Sequence, residues 1–467
     1  MSTKAISGLS THQIDTLGGN YAGLTTTQYA VLTSSQVTAI MSGDIDVMST
    51  AMIASLSSKG IAGLTTAALA SFDTAQIAAL TTGQLAAMTS TQIGALSTAQ
   101  VGALTSTQAA GLGTTQVAAL STTSVAALST DAVAALGSKA IAALTSAQVT
   151  ALTTAQVAAF TTGQISSLSS AAIASLGTDD LATLSSAEIA IISSKSIGGL
   201  GTAAIGALTT AQTEGLTSAQ IAALNTAQLG ALTTAQTAAL TTVQVGALTS
   251  AQITSLSTAN LAVMTTGQIA ALGSAAVGAL SSAQFTAMTT AQVEALTPAQ
   301  VAALGSEDLA ALGTDDIALF STLDVAAISS KAIAGLSTAS VAAFTTSQVA
   351  ALTSVQLGAM SSAQIGAMTT AQVGALTSTQ IAGLGSAAIS ALGADDLATF
   401  ATDEIAALSS KALAGLSTAG VAGLTTAQTS AFTSTQIAAL TSAQVGALTT
   451  GSVAALSTGQ VAALSST

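Results

Sequence analysis

The sequence predicts an all-α solenoid, a spiral of very short capped helices with one helix in each eight-residue repeat. Every eighth residue from Leu24 to Leu464, 56 positions in all, is Leu, Met, Ile or Phe. In 54 of these repeats the next residue is Ser, Thr, Gly, Asp or Asn, the residues that cap helix N-termini. The exceptions are Met41 and Ala401. Three residues after this cap the chain usually has Gln, sometimes Asp or Glu, which completes a capping box.

We call the repeat an octad and number its positions from zero, starting at the large apolar residue. The octad from Leu152 to Ala159 is typical and reads Leu-Thr-Thr-Ala-Gln-Val-Ala-Ala. Position five, usually Val, Ile or Leu, lies three residues before the next position zero, so the two share one helix face. We therefore expect these two positions to form the core of helices about six or seven residues long, with small residues at positions six and seven allowing close packing.

The proline and the acidic residues support the same helix start. Pro298 follows the cap Thr297 and therefore falls on the first helical residue, where proline is favoured. Pairs of aspartates fall in the first turn, where the helix dipole favours negative charge. They are Asp179, Asp180, Asp315, Asp316, Asp395 and Asp396.

A β-solenoid is the alternative fold, because Thr, Val and Ile favour strands. In a strand, however, positions zero and five would face opposite sides, and the capping pattern would have no use. A single continuous helix also fits poorly, because eight residues at about 100° each overshoot two turns by about 80°.

Two regions are predicted. Residues 1–23 depart from the octad and are expected to form a divergent N-terminal cap or docking segment. Residues 24–467 are expected to form one continuous octad-repeat solenoid, which keeps its phase to within three residues of the last residue given. The only histidine, His12, and the only tyrosines, Tyr21 and Tyr29, lie in or near the first region.

A 136-residue period overlies the octad. Lys59, Lys195 and Lys331 occupy position three and are separated by 136 residues. Lys139 and Lys411 are two such periods apart. Acidic residues precede several of these lysines, so charges in octads eight or sixteen residues apart are expected to pair if those octads stack. We interpret them as landmarks that hold the register of a uniform array.

Composition excludes several functional classes. The chain has no Cys, so disulfides and thiolate metal sites are excluded. A net charge of −13 with six Lys and no Arg argues against nucleic acid as a partner. Mean hydropathy is high at +0.70, yet no apolar run approaches the roughly 20 residues of a membrane span. The residues from Met1 to Leu9 lack the apolar segment of a standard cleaved signal peptide.

No catalytic constellation or cofactor motif is present. His12 alone makes neither a triad nor a metal site, and the abundant Ser and Thr have no base to activate them. We therefore expect no enzymatic activity and no cofactor. The six aspartates named above are weak candidates for calcium ligands, since hard cations prefer carboxylate oxygens, although the spacing of an EF-hand is absent.

The Leu-Thr-Thr-Ala-Gln-Val-Ala-Ala units resemble the octad repeats of large, low-complexity bacterial surface or secreted proteins, over nearly the whole chain. This resemblance implies an extracellular structural or adhesive role and assigns no functional residue. We expect copies of the chain to assemble head to tail into an extracellular filament. An ice- or surface-binding repeat protein and the stalk of an adhesin are the alternatives.

Overall fold

The structure is a computed structural model and describes residues 1–40 and 48–464. Across these residues it contains 54 short α-helices, three 3₁₀ helices and no strand. The predicted all-α fold of short tandem helices is confirmed, and the β-solenoid is not supported. The unusual cap Met41 and the last three residues, 465–467, lie outside the described residues.

The chain divides into an N-terminal unit, Met1–Ala239, and a C-terminal unit, Leu240–Thr467. Helices contain four to seven residues, so some are shorter than predicted. The α-helices of the N-terminal unit are Thr3–Ser7, Thr11–Asp15, Thr26–Tyr29, Ser34–Ala39, Thr50–Ser55, Ser58–Ile61, Thr66–Ala70, Thr74–Ala79, Thr82–Ala87, Ser90–Gly94, Thr98–Gly102, Ser106–Ala109, Thr114–Ala119, Thr122–Ala127, Thr130–Ala135, Ser138–Ala142, Ser146–Ala151, Thr154–Ala158, Thr162–Ser167, Ser170–Ala174, Thr178–Thr183, Ser186–Ile191, Ser194–Ile197, Thr202–Ala207, Thr210–Gly215, Ser218–Ala223, Thr226–Gly230 and Thr234–Ala239.

The C-terminal unit repeats this arrangement. Its α-helices are Thr242–Gly246, Ser250–Thr254, Thr258–Ala262, Thr266–Ala271, Ser274–Val277, Ser282–Ala287, Thr290–Glu294, Pro298–Val301, Ser306–Ala311, Thr314–Ala318, Thr322–Ala327, Thr338–Ala343, Thr346–Ala351, Ser354–Ala359, Ser362–Gly366, Thr370–Val373, Ser378–Ala382, Ser386–Ala391, Ala394–Leu397, Thr402–Ala407, Thr418–Gly423, Thr426–Ala431, Ser434–Ala438, Ser442–Gly446, Thr450–Ala454 and Thr458–Leu464. The 3₁₀ helices are Gly18–Gly23 in the first unit and Ala332–Gly335 and Ala412–Gly415 in the second.

Capping boxes start the helices as predicted. The backbone N–H of Thr297 donates to Oε1 of Gln300 at 2.8 Å, and the N–H of Gln300 donates to the Thr297 hydroxyl at 3.3 Å. Pro298 is the first helical residue. Asp73 replaces threonine as a cap and accepts the N–H of Gln76 at 2.7 Å. In octads with a capping box the helix thus begins where its own sequence satisfies the free N–H groups, whereas helices that follow a glycine such as Gly137 or Gly201 begin without a side-chain cap.

Positions zero and five form the core. Ile77 and Val301, both at position five, are fully buried, while Leu80 and Leu304, at position zero, are 3% and 2% exposed. The position-zero residue also leaves the helical conformation, with φ −61° and ψ 137° at Leu352. It therefore ends one helix and directs the chain into the next cap.

Helices stack on helices three octads away. In the N-terminal unit Thr98–Gly102 packs on Thr122–Ala127, and in the C-terminal unit Thr242–Gly246 packs on Thr266–Ala271. Octads eight or sixteen residues apart instead follow one another around a turn. The charge pairing expected at that spacing required those octads to stack, so the observed stacking does not support it.

Residues 1–23 form helices of the same kind. Thr3–Ser7 packs on Thr26–Tyr29, and Thr11–Asp15 packs on Ser34–Ala39. The 3₁₀ helix Gly18–Gly23 replaces the irregular octad and begins at Gly18, whose φ of 50° suits glycine. That this segment is a cap or docking element stays a prediction.

The two tyrosines near this segment form a buried chain of hydrogen bonds. The Tyr29 hydroxyl donates to the carbonyl of Tyr21 at 2.6 Å, and the Tyr21 hydroxyl donates to the carbonyl of Ile14 at 2.6 Å. Burial, assisted by the neighbouring Tyr21, raises the pKa of Tyr29 to about 12. The Tyr29 hydroxyl therefore stays protonated, and both hydroxyls act as structural donors. No helix in the described part of the chain combines the length and apolar character needed to cross a bilayer.

Candidate functional site: a glutamine ladder and the octads that interrupt it

The glutamine at position four links successive turns within each unit. In the N-terminal unit, Oε1 of Gln100 accepts the N–H of its cap Ser97 at 2.9 Å. Its Nε2 donates to the carbonyls of Leu69 and Phe72, both at 2.8 Å. These acceptors lie 31 and 28 residues earlier, in the fourth and third preceding octads. One turn therefore takes between three and four octads.

The C-terminal unit repeats this geometry. Nε2 of Gln300 donates to the carbonyl of Ile269 at 2.8 Å and to that of Leu272 at 2.7 Å. Gln300 is only 1% exposed. We refer to these repeated bonds as the glutamine ladder. The sequence predicted glutamine only as a cap in a polar first turn, and this second role was missed. Its signal was that Gln greatly outnumbers Glu at position four, although a capping box accepts either.

Three stretches of five octads have no glutamine at position four. They are residues 168–207, 304–343 and 384–423, and we call them the acidic–lysine stretches, since each holds several Asp or Glu residues and one Lys. Their position-four residues are Ala172, Asp180, Glu188, Ser196, Ala204, Asp308, Asp316, Asp324, Ala332, Ser340, Ala388, Asp396, Glu404, Ala412 and Gly420. The three lysines, Lys195, Lys331 and Lys411, are exposed.

The turns approach each other most closely beside these lysines. A Cβ added to Gly335 would lie 1.9 Å from the carbonyl oxygen of Ser306, and one added to Gly199 would lie 2.1 Å from that of Ser170. Both glycines occupy position seven of a lysine octad, so only a residue without a side chain fits there. The same approach, within 2.2 Å, is made by Gly63 beside Lys59 and by Gly415 beside Lys411, whereas the Lys139 octad has Ala143 at this position.

The six predicted calcium ligands separate into two groups. Asp179, Asp315 and Asp395, at position three, are exposed. Their neighbours at position four cap glycines instead: Oδ2 of Asp180 accepts the N–H of Gly177 at 3.0 Å.

The same cap is made by Asp316 on Gly313, at 3.2 Å, and by Asp396 on Gly393, at 3.0 Å. No group of three or more Asp, Glu, His or Cys residues suited to a metal occurs in residues 1–40 and 48–464. A calcium role for the six aspartates therefore stays a prediction.

Two other position-four acids have perturbed acidity. Burial raises the pKa of Asp308. The hydrogen bond that Asp308 accepts from the Gly305 N–H lowers this pKa, and the negative charge of Glu307 raises it. Burial likewise raises the pKa of Glu404, against the lowering effect of the bond from the Ala401 N–H. Position four is thus an apolar environment for a charge even where it is partly open to solvent.

Asp324 is the most buried of these acids and was not among the predicted ligands. Its Oδ2 accepts the Ser321 N–H at 2.9 Å and the Ser321 hydroxyl at 2.6 Å. Its Oδ1 is buried and has no hydrogen-bond partner. The sequence signal is only the replacement of Gln by Asp at position four, which becomes meaningful once that position is known to face the preceding turn.

His12 lies on the surface. With Thr11, Asp15 and Ala39 it lines an open depression of about 400 Å³.

Comparison with known families identifies the repeat. ALTTAQ repeats match residues 61–90, 77–114, 109–146, 125–162, 139–170, 189–226, 213–242, 221–258, 242–274, 261–298, 290–322, 317–354, 354–386, 405–442 and 430–466. The chain belongs to the ALTTAQ repeat family. No curated protein and no solved structure matches it.

The matched ALTTAQ repeats leave two internal gaps, residues 171–188 and 387–404. Each gap lies within an acidic–lysine stretch. The third stretch, residues 304–343, also lacks glutamine at position four but is matched throughout.

Proposed function

We propose that this ALTTAQ repeat protein is a structural protein without enzymatic activity, whose copies assemble head to tail into an extracellular filament. The observation that carries the proposal is the direction of the glutamine ladder. In both units each glutamine amide donates to carbonyls earlier in the chain, as Gln100 does to Leu69 and Gln300 does to Ile269.

This direction makes the two faces of every turn different and complementary. One face of the turn carries amide donors and the other face carries carbonyl acceptors. Apolar side chains lie on both faces. A turn of one copy can therefore stack on a turn of another through the bonds that join turns within a copy. Such a contact joins unlike faces and generates an open fibre when it does not close into a ring.

Two valines mark an apolar surface suited to this contact. Val453 and Val461 occupy position five but are 47% and 50% exposed, whereas Val301 at the same position is fully buried. A turn of a second copy stacked on these valines would bury them, and burial of such side chains is the main favourable term in association.

Electron microscopy with sedimentation of the purified 467-residue chain tests the proposal. We expect long fibres of uniform width, and dispersed short particles at all concentrations would contradict it. The double variant Val453→Asp, Val461→Asp should abolish fibres and keep the helical circular dichroism. The matched control is Val243→Asp, because Val243 is 71% exposed at position three. The control should polymerise normally.

Removal of residues 1–23 tests whether the first segment takes part. Shorter or less stable polymers are expected if it docks on a second copy, and unchanged polymers would assign the contact to another part of the chain. The extracellular location rests on the resemblance to bacterial surface proteins. Protease treatment of intact cells should digest the protein, and full protection would place it inside.

A further inference from the structure

Asp324 places a carboxylate where the ladder has an amide. In a ladder octad such as that of Gln300, Oε1 accepts the cap N–H and Nε2 points at the preceding turn. In Asp324, Oδ2 takes the first role by accepting the Ser321 N–H, which leaves Oδ1 in the place of the amide nitrogen. The residue is 7% exposed and Oδ1 has no partner.

The register identifies what Oδ1 faces. Gln300 and Gln356, on either side of Asp324, both donate to carbonyls 31 and 28 residues earlier. At Asp324 the same spacing selects the carbonyls of Val293 and Leu296. The packing of Pro298–Val301 on Thr322–Ala327 shows that this stacking of octads continues here.

An anionic oxygen and two carbonyl oxygens therefore converge with no donor between them. A buried carboxylate oxygen without a partner is strongly unfavourable, because its charge is neither solvated nor paired. Asp is also one methylene shorter than Gln and carries no N–H donor, so it cannot make the ladder bonds to these carbonyls. Hard cations such as Ca²⁺ bind sets of oxygens of this kind, carboxylate and carbonyl, at about 2.3–2.6 Å.

We propose that Ca²⁺ binds between two successive turns of the C-terminal unit, held by Oδ1 of Asp324 and the carbonyl oxygens of Val293 and Leu296. Water completes the coordination, since Ca²⁺ takes six to eight oxygens. The ion joins the turns in a stretch that lacks the glutamine ladder.

Isothermal titration of the full chain with CaCl₂ alone tests the site. We expect one Ca²⁺ site that Asp324→Gln removes, while that variant keeps or raises thermal stability because glutamine restores the ladder bonds. The matched control is Asp131→Asn, an exposed acid of another octad, which should bind Ca²⁺ as the unaltered chain does.

Three results would overturn the proposal. They are no Ca²⁺ uptake at millimolar concentration, equal uptake by the Asp324→Gln variant, and stabilisation by acid but not by Ca²⁺, which would mean that a proton occupies Oδ1. The site does not depend on filament formation. Titration of the Val453→Asp, Val461→Asp variant with CaCl₂ separates the calcium proposal from the filament proposal. This variant should fail to polymerise and should still bind Ca²⁺.

Discussion

The ladder octads and the acidic–lysine stretches solve the same packing problem in different ways. Around Gln300 a long amide fills the space between turns and satisfies two carbonyls. Around Lys331 the corresponding residues are short or acidic, and the turns approach until Gly335 meets the backbone of Ser306. The position-four side chain therefore acts both as hydrogen-bond donor and as spacer.

This contrast shows where sequence variation is tolerated in a uniform array. The core positions barely change between the two regions, since Ile269 and Ile333 are both fully buried. Variation is confined to the contact between turns, which sets their separation and polarity. An array in which neighbouring turns interact is sensitive to local changes of this kind.

The largest effect is expected from removing one ladder amide. Gln300→Leu removes the amide bonds to the carbonyls of Ile269 and Leu272 and the acceptor of the Thr297 N–H, and should lower the free energy of unfolding by about 3 kcal/mol. Ser340→Ala is the matched change in an acidic–lysine stretch, where the Ser340 hydroxyl bonds only to the Ser337 hydroxyl at 2.8 Å. It should cost about 1 kcal/mol or less. Urea unfolding measures both, and equal losses would refute the ladder's special role.

A similar or smaller loss is expected from filling the close approach between turns. Gly335→Ala puts a methyl group against the Ser306 carbonyl and should destabilise by about 1–3 kcal/mol, since the backbone must move apart. Gly446→Ala is the control, because a Cβ there meets nothing within 4 Å. It should stabilise by about 0.4–1 kcal/mol. Hydrogen exchange around each site gives the local effect, and a silent Gly335→Ala variant would disprove the close contact.

The caps provide a smaller test. Ala401 caps its helix without a side-chain acceptor, although its N–H still donates to Oε2 of Glu404 at 2.7 Å. Ala401→Ser should therefore stabilise by about 1 kcal/mol, because the new hydroxyl accepts the free N–H at Glu404. The control Thr402→Ser changes an exposed residue one position later and should leave the urea midpoint unchanged. No gain at Ala401 would mean that this octad does not depend on its cap.

The smallest effect is a dependence on pH from Asp308 and Glu404. Burial raises the pKa of both, so the folded protein takes up their protons before the unfolded chain does. The free energy of unfolding contributed by these groups should rise as pH falls through their raised pKa values and level off below the ordinary carboxyl range near pH 4. Thermal unfolding of Asp308→Asn, Glu404→Gln should show a weaker rise on acidification. An unchanged profile would assign the dependence to other groups.

The fold could be predicted in detail, and the candidate site only in part. Caps such as Thr297 and core residues such as Val301 follow from local rules, because a capping box satisfies free N–H groups of its own helix and the octad spacing sets the buried face. The calcium prediction selected Asp315 and Asp316 because they are adjacent in sequence. The structure instead singles out Asp324, whose environment comes from Val293 and Leu296 on another turn and is invisible to local spacing.

The sequence by itself determined the helix starts, the residues that face the core and the all-α class, since each depends on contacts within about one octad. The tertiary structure decided how many octads make a turn and therefore which carbonyls each position-four side chain meets. That choice depends on how the turns curve and stack, and it assigns one role to Gln300 as a link between turns and another to Asp324 as a buried, unpaired carboxylate.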